Sequence, residues 1–245
     1  MPREIRAVVF DMDGLMLDTE PIYKRAWQAA ASELGCGLDD HFYATFVGRP
    51  NDDCEQLLLH RFGAQFPLAP FRLRWRELWD ADATANGIRT KPGLLELLTL
   101  LDTLKIPFAI ATSSEAGETE FCLRAAGLDG RFPVRVTRDQ ITHGKPAPDI
   151  YLEAARRLQI DPAQCVALED SEAGILSASR AGMVPLLIPD GATPSTLATN
   201  AAFRVLPSLA DVPAVLRDLL KSPERRADSE RTDGTSQPIQ RRNDS

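Results

Sequence analysis

Apolar residues fall in two rhythms along this chain. Short runs of strand length occur at 5–10, 106–112, 165–169 and 184–188, with weaker ones at 133–136 and 203–206. Between them stand segments of helical period. Leu94, Leu95, Leu97, Leu98, Leu101 and Leu104 share one broad stripe, and Ala154, Ala155 and Leu158 form a second. Apolar strands alternating with helices predict an α/β fold built on a doubly wound, Rossmann-like parallel sheet. Ligands of such sheets sit beyond the carboxyl ends of the strands, where Asp11, Thr112 and the Glu169-Asp170 pair fall.

The rhythm breaks between the first strand and Pro92-Gly93. About 75 residues there show no convincing strand and are rich in helix formers at 21–35, 52–62 and 68–80. A structureless loop of that length is implausible, so the pattern predicts an inserted helical domain. Residues 1–14 and 87–221 then form the α/β core and 15–86 the insert, with hinges near 15–18 and 86–92, the latter marked by Asn86-Gly87. In residues 222–245 Ala227 and Ile239 are the only apolar positions, too few to offset the entropy of ordering, and the segment reads as a disordered tail.

Composition narrows the class of partner. With 44% hydrophobic and 26% charged residues the chain reads as an ordinary globular protein, and a net charge of −7 disfavours nucleic acid or an anionic membrane as partner. An anionic substrate must therefore be drawn by local positive groups. Cys36, Cys54, Cys122 and Cys165 are widely spaced with no CxxC pair, which suits separate thiols in a reducing compartment. No apolar region follows Met1-Pro2-Arg3-Glu4, and the apolar stretch 94–104 is interrupted by Glu96 and Asp102, so a cytoplasmic protein is expected.

Four stretches carry candidate chemistry. Val8-Val9-Phe10-Asp11-Met12-Asp13-Gly14 ends a strand on two carboxylates that alternation places on one side. At about 5 Å such charges repel by about 3 kcal/mol at an effective dielectric near 20, which asks for a cation or a shared proton. Asp-x-Asp-Gly also opens plain loops and calcium loops, but Leu15 and Ile22 stand where an EF-hand needs ligands. Thr112-Ser113-Ser114 ends a strand on hydroxyls that suit either a phosphate or a helix cap. His143-Gly144-Lys145-Pro146 puts a lysine in a turn; Asp139 and Pro146 rule out a P-loop around it. Glu169-Asp170-Ser171 pairs two acids after another strand, compatible with metal ligation or with a favourable helix N-terminus.

Together and in this order, these stretches resemble the haloacid dehalogenase superfamily of phosphoryl-transfer enzymes, over residues 5 to about 220. The segments from Asp11 to Glu20 and from Gly144 to Asp149 look like the branch holding β-phosphoglucomutases, sugar-phosphate phosphatases and pseudouridine-5'-phosphatases. The resemblance implies that Asp11 is the nucleophile, Asp13 the general acid and base, and Lys145 the cation that offsets charge on the nucleophile and phosphoryl oxygens. It implies phosphate contacts from Thr112 and Ser113. It further implies Mg²⁺ held by Asp11 and Asp170 through side chains, Asp13 through its backbone carbonyl, and Glu169 directly or through water. The helical insert becomes a cap that opens and closes over the site.

The expected activity is Mg²⁺-dependent hydrolysis of a small phosphate ester, a sugar phosphate or nucleoside monophosphate, by a monomer. A phosphomutase is the rival enzyme, and a noncatalytic phosphate-binding module is the rival from another class. Neither Lys145 nor any of the acids is missing, which disfavours the module. Against the mutase, Tyr23 stands twelve residues after Asp11 where β-phosphoglucomutases carry a cap histidine, and their cap arginine aligns with Asn51, with Arg49 nearby. His41, His60 and His143 lack metal spacing, and Arg72, Arg74 and Arg76 read as a solvated face.

Overall fold

The computed structural model describes residues 4–47, 51–191 and 193–220. Its six strands, β1 (Ala7–Phe10), β2 (Phe108–Ala111), β3 (Val134–Val136), β4 (Cys165–Glu169), β5 (Val184–Leu187) and β6 (Arg204–Val205), form one sheet in the order β3-β2-β1-β4-β5-β6. Every neighbouring pair is parallel, with Val8 in register with Phe108 on one side and Val166 on the other. The expected α/β class holds, and the strands anticipated from apolar runs are all present.

The two sheet faces differ in side-chain size. Val8, Phe10, Val166 and Leu168 face a large-residue layer that includes Leu94, Leu97, Leu98 and Leu101 of α5 (Leu94–Thr103) and Val215 and Leu216 of the last described helix (Val212–Leu220). Ala7, Val9, Ala109, Ala111 and Ala167 face the other way, against Ile150, Tyr151, Ala154 and Ala155 of α7 (Asp149–Leu158) and Ala178 of α8 (Glu172–Arg180). Small residues on that face let α7 approach closely, which brings the loop before it up to the sheet's carboxyl edge. The leucine stripe is narrower than the spacing suggests. Leu95 is 54% exposed and Leu104 44% exposed, because a helix lying on a sheet buries only its facing arc.

Between β1 and α5 lie α1 (Glu20–Glu33), α2 (Asp40–Tyr43), α3 (Asn51–Phe62) and α4 (Leu68–Asn86). Aromatic rings bind these helices. Trp27 meets Phe46, Phe71 and Trp75 at centroid distances of 5.4, 5.2 and 5.8 Å, and Tyr23 packs on Trp75 and Trp79 at 5.9 and 5.4 Å. Trp79 reaches Phe121 of α6 (Ala116–Ala125) on the sheet side at 5.7 Å. The two chain crossings into the insert are bonded to each other: the Asp18 N–H donates to the Arg89 carbonyl at 2.8 Å and the Lys91 N–H to the Met16 carbonyl at 2.8 Å. The Lys91 ammonium adds ion pairs to Asp18 at 3.0 Å and to Asp190 at 2.7 Å. The expected tail at 222–245 lies outside the described residues.

Replacing Leu97 by Ala should lower the unfolding free energy by about 2–5 kcal/mol, whereas Leu95→Ala should change it by less than about 0.5 kcal/mol. Denaturant titration of both variants checks the width of the buried stripe.

Candidate active site

Strand β1 delivers two acids to the carboxyl edge. The Asp11 N–H still pairs with the Leu168 carbonyl at 3.0 Å, and the chain then coils tightly, with the Met16 and Leu17 N–H groups both donating to the Met12 carbonyl at 2.9 and 3.1 Å. Gly14 sits in this coil at φ +80°, and a Cβ there would stand 2.3 Å from Asp170 Oδ2, so glycine is what admits the Asp170 carboxylate.

Lys145 enters from the loop ahead of α7. Its ammonium lies 2.5 Å from Asp11 Oδ1 and 2.5 Å from Glu169 Oε1, with only 5% of the side chain exposed. The loop is braced by Asp149, whose Oδ1 accepts from the His143 N–H at 3.2 Å and lies 3.0 Å from that ring's Nδ1. Glu169 is wholly buried and fully engaged: Tyr151 donates its hydroxyl to Oε1 at 2.6 Å and Ser171 its hydroxyl to Oε2 at 3.1 Å. Ser171 also caps α8 by accepting from the Gly174 N–H at 3.1 Å.

Asp11, Glu169 and Asp170 each bring a carboxylate oxygen within 4.8 Å of the others. Burial pushes Asp11 up, opposed by Lys145 and aided by Glu169, and pushes Asp170 up, aided by Asp11 and Glu169. Burial works against the Lys145 charge, but Asp11 and Glu169 outweigh it and hold the ammonium above its ordinary range. With all three acids ionised, one ammonium would leave two negative charges unbalanced. A hard divalent cation with oxygen ligands fits both the donor set and that deficit.

The Asp13 carboxylate stands apart from this cluster. It accepts from the Ser114 hydroxyl at 2.9 Å. Burial raises it to about 6, with the Ser114 bond pulling down and Glu118 pushing up. Thr112 is buried, and its Oγ1 accepts from the Ser114 N–H at 3.1 Å, while the Ser113 side chain is exposed. Neither Thr112 nor Ser113 caps α6, because Glu115 occupies that position without a side-chain bond and the Ala116 N–H goes to Asp139 at 3.1 Å.

Beside these groups opens a cleft of about 380 Å³ between insert and sheet, floored by Asp13, Gly14 and Asp170. Tyr23 lines it, ring against Trp75 and Trp79, its hydroxyl 3.4 Å from Glu118 Oε1; burial raises this phenol well above its ordinary range. Arg76 donates to the same Glu118 oxygen at 3.2 Å. Arg74 is bound to Glu33 and Glu77, and Arg72 to Glu55. His41, His60 and His143 are exposed, and no disulfide joins the four cysteines. Arg49 and the Asn51 side chain lie outside the described residues.

Sequence reasoning assigned no role to Tyr151, Ser171 or Glu118, and it did not pair Ser114 with Asp13. Ser114 had a signal, since it ends the same hydroxyl run as Thr112. Tyr151 had a weaker one, three residues before the Ala154 stripe on α7.

A family model for haloacid dehalogenase-like hydrolases matches residues 5–182. The chain is 34% identical to fructose-1-phosphate phosphatase YqaB of Escherichia coli, over 72% of this chain and 92% of that protein. It is 32% identical to a phosphorylated carbohydrates phosphatase of Thermotoga maritima, over 73% of this chain and 82% of the relative. A solved haloacid dehalogenase family hydrolase of Deinococcus radiodurans, with bound phosphate and sodium, superposes with a TM-score of 0.71 at 30% identity, over 89% of this chain and 98% of that one. The chain belongs to the haloacid dehalogenase-like hydrolase family, and within it the chain is a phosphatase. Among the described residues, no helix is long and apolar enough to cross a membrane.

The raised acids set a stability prediction. A carboxyl whose folded pKa exceeds its unfolded value holds extra protons when folded, so stability falls as pH climbs between the two values. With chelator present, the melting temperature should therefore drop by a few degrees as pH rises from about 5 through the Asp13 value of about 6 to about 8, and Mg²⁺ should erase most of the drop. Thermal melts at both pH values, with and without Mg²⁺, test this, and an unchanged midpoint in chelator would defeat it.

Proposed function

We propose that this enzyme is an Mg²⁺-dependent phosphomonoesterase for a small phosphorylated metabolite, a sugar phosphate or a nucleoside monophosphate, working through an aspartyl-phosphate on Asp11. The carrying observation is the Lys145 ammonium on the Asp11 carboxylate, beside the hydroxyl-rich end of β2 and the separately held Asp13. In the first step an Asp11 oxygen bonds to phosphorus as the ester P–O bond breaks, and Asp13 gives its proton to the departing alkoxide. In the second, water attacks phosphorus, Asp13 takes its proton, and Asp11 is freed with release of inorganic phosphate. Lys145 offsets charge on Asp11 and the phosphoryl oxygens, and Thr112 with the N–H groups after it orients them.

Asp11 and Asp170 by side chain, Asp13 by backbone carbonyl, and Glu169 directly or through water would hold the Mg²⁺. When bound, it supplies positive charge that offsets the carboxylates and the transferring phosphoryl oxygens. An Asp13 carboxyl near pKa 6 is well placed to give and retake a proton near neutral pH. We assign residues 15–86 to a cap moving over a core of residues 1–14 and 87–221, the bonded crossings at Leu17 and Thr90 serving as its hinge. Two relatives named for phosphorylated carbohydrates and fructose 1-phosphate support a sugar-phosphate substrate. Four cysteines without a disulfide support a cytoplasmic setting.

Hydrolysis is favoured over mutase chemistry by Tyr23. A buried phenol cannot furnish the cation that an imidazolium supplies at neutral pH, so nothing at that position holds Asp13 back from water.

Asp11→Asn should fold normally and retain less than about 1% of turnover. Circular dichroism with a phosphate-release assay checks both halves. Given β-glucose 1-phosphate and catalytic glucose 1,6-bisphosphate, the wild-type enzyme should yield free phosphate. Glucose 6-phosphate accumulating much faster than phosphate would sink the phosphatase assignment in favour of the mutase.

A further inference from the structure

Arg76 behaves differently from its two neighbours in the arginine series. Arg72 and Arg74 pair with Glu55, Glu33 and Glu77, all inside the helical insert, whereas Arg76 leaves α4 and donates to Glu118 of α6 at 3.2 Å. The same Glu118 oxygen lies 3.4 Å from the Tyr23 hydroxyl of α1. Two helices of the insert thus meet on one carboxylate of the α/β core. One turn further along α4 and α6, Trp79 rests on Phe121 at 5.7 Å and adds an apolar contact to the same pair of faces.

The first turn of α1 also reaches Asp13. Thr19 stands at the head of that helix, buried, and its hydroxyl makes no cap bond. It bonds the Asp13 carboxylate instead. The Tyr23 N–H donates to the Thr19 carbonyl at 3.1 Å, so the contact with Glu118 and the contact with Asp13 lie one helical turn apart. From the core, the loop just ahead of α6 supplies the Ser114 hydroxyl to Asp13 at 2.9 Å. Asp13 is therefore held by one hydroxyl from the insert and one from the core.

We propose that Glu118 is a positioning residue for proton transfer: by clamping α1 and α4 to α6 it sets the Thr19 and Ser114 hydroxyls against each other and fixes the Asp13 carboxyl between them. The inference rests on the phosphatase reading above, in which Asp13 protonates the leaving oxygen. The Arg76 side chain is 49% exposed and that of Glu118 20%, so the pair is a weak tie, of a strength that lets the insert leave and return. Its effect is on alignment, which matters most where Asp13 must deliver a proton. A sugar alkoxide leaves poorly without one, whereas an acidic phenol leaves readily as its anion.

Full-length variants with Mg²⁺ test this on fructose 1-phosphate, glucose 6-phosphate and an activated aryl phosphate. Glu118→Ala should lower kcat for the sugar phosphates by about tenfold, part of what a general acid supplies, and leave KM and the aryl phosphate rate within about twofold. Glu118→Gln keeps an acceptor for both donors and should lose no more than about threefold. Adding Arg76→Ala to Glu118→Ala should cost less than about another twofold, because both changes remove one tie. A second readout does not depend on turnover. Trp27, Trp75 and Trp79 are the chain's three tryptophans, all buried in the insert, and acrylamide quenching of their fluorescence should rise at least about 1.5-fold in Glu118→Ala as the clamp loosens. Equal losses on sugar and aryl esters, unchanged sugar-phosphate turnover, or unchanged quenching would overturn the positioning role and leave the phosphatase reading intact. A wild-type protein that hydrolyses none of the three esters would sink both.

Discussion

Concentrating carboxylates at the carboxyl edge of β1 and β4 is the constraint from which much of this structure follows. Asp11, Glu169 and Asp170 are drawn together with a carboxylate oxygen of each within 4.8 Å of the others, and the burial of Asp11 and Glu169 limits how far solvent screens their repulsion. Among the described residues Lys145 is the one ammonium that meets two of them, and the loop carrying it has to be delivered there accurately. Small residues beneath α7, the Asp149 brace on His143, and the Tyr151 and Ser171 hydroxyls on Glu169 all serve that delivery. Gly174 belongs to the same arrangement: a Cβ there would lie 1.9 Å from the Glu169 carboxylate. Satisfying so many buried polar atoms at once costs stability elsewhere, and the broad apolar layer on the opposite sheet face offsets it.

The helical insert is joined to this edge at more than its covalent crossings. The paired backbone at Leu17 and Thr90, the Lys91 bridge, and the Trp79–Phe121 contact tie it to the sheet side. Its aromatic interior gives it rigidity, so the proposed cap motion would concentrate at the crossings rather than within the helices. Because the first crossing begins two residues after Asp13, any swing of the insert is felt at once by the proposed proton donor.

Much of the architecture was legible in the linear chain. Strand and helix placement follow from apolar periodicity, and the acids at 11, 13, 169 and 170 stand out because charge immediately after a buried strand needs a reason. Lys145 was readable only jointly with them, through the order of the motifs. Local pattern could not say which of Thr112, Ser113 and Ser114 turns inward, since strand alternation stops where the chain leaves the sheet. Tertiary structure decided that Ser114 meets Asp13, that Tyr151 reaches Glu169 across 18 residues of sequence, and that Glu118 of α6 answers both Tyr23 and Arg76 of the insert. It also trimmed the leucine stripe, exposing Leu95 and Leu104. Periodicity encodes which residues share a face, because that depends only on backbone repeat. Which faces meet, and so which polar atoms become partners, depends on packing between elements distant in the chain, and only the folded molecule settles it.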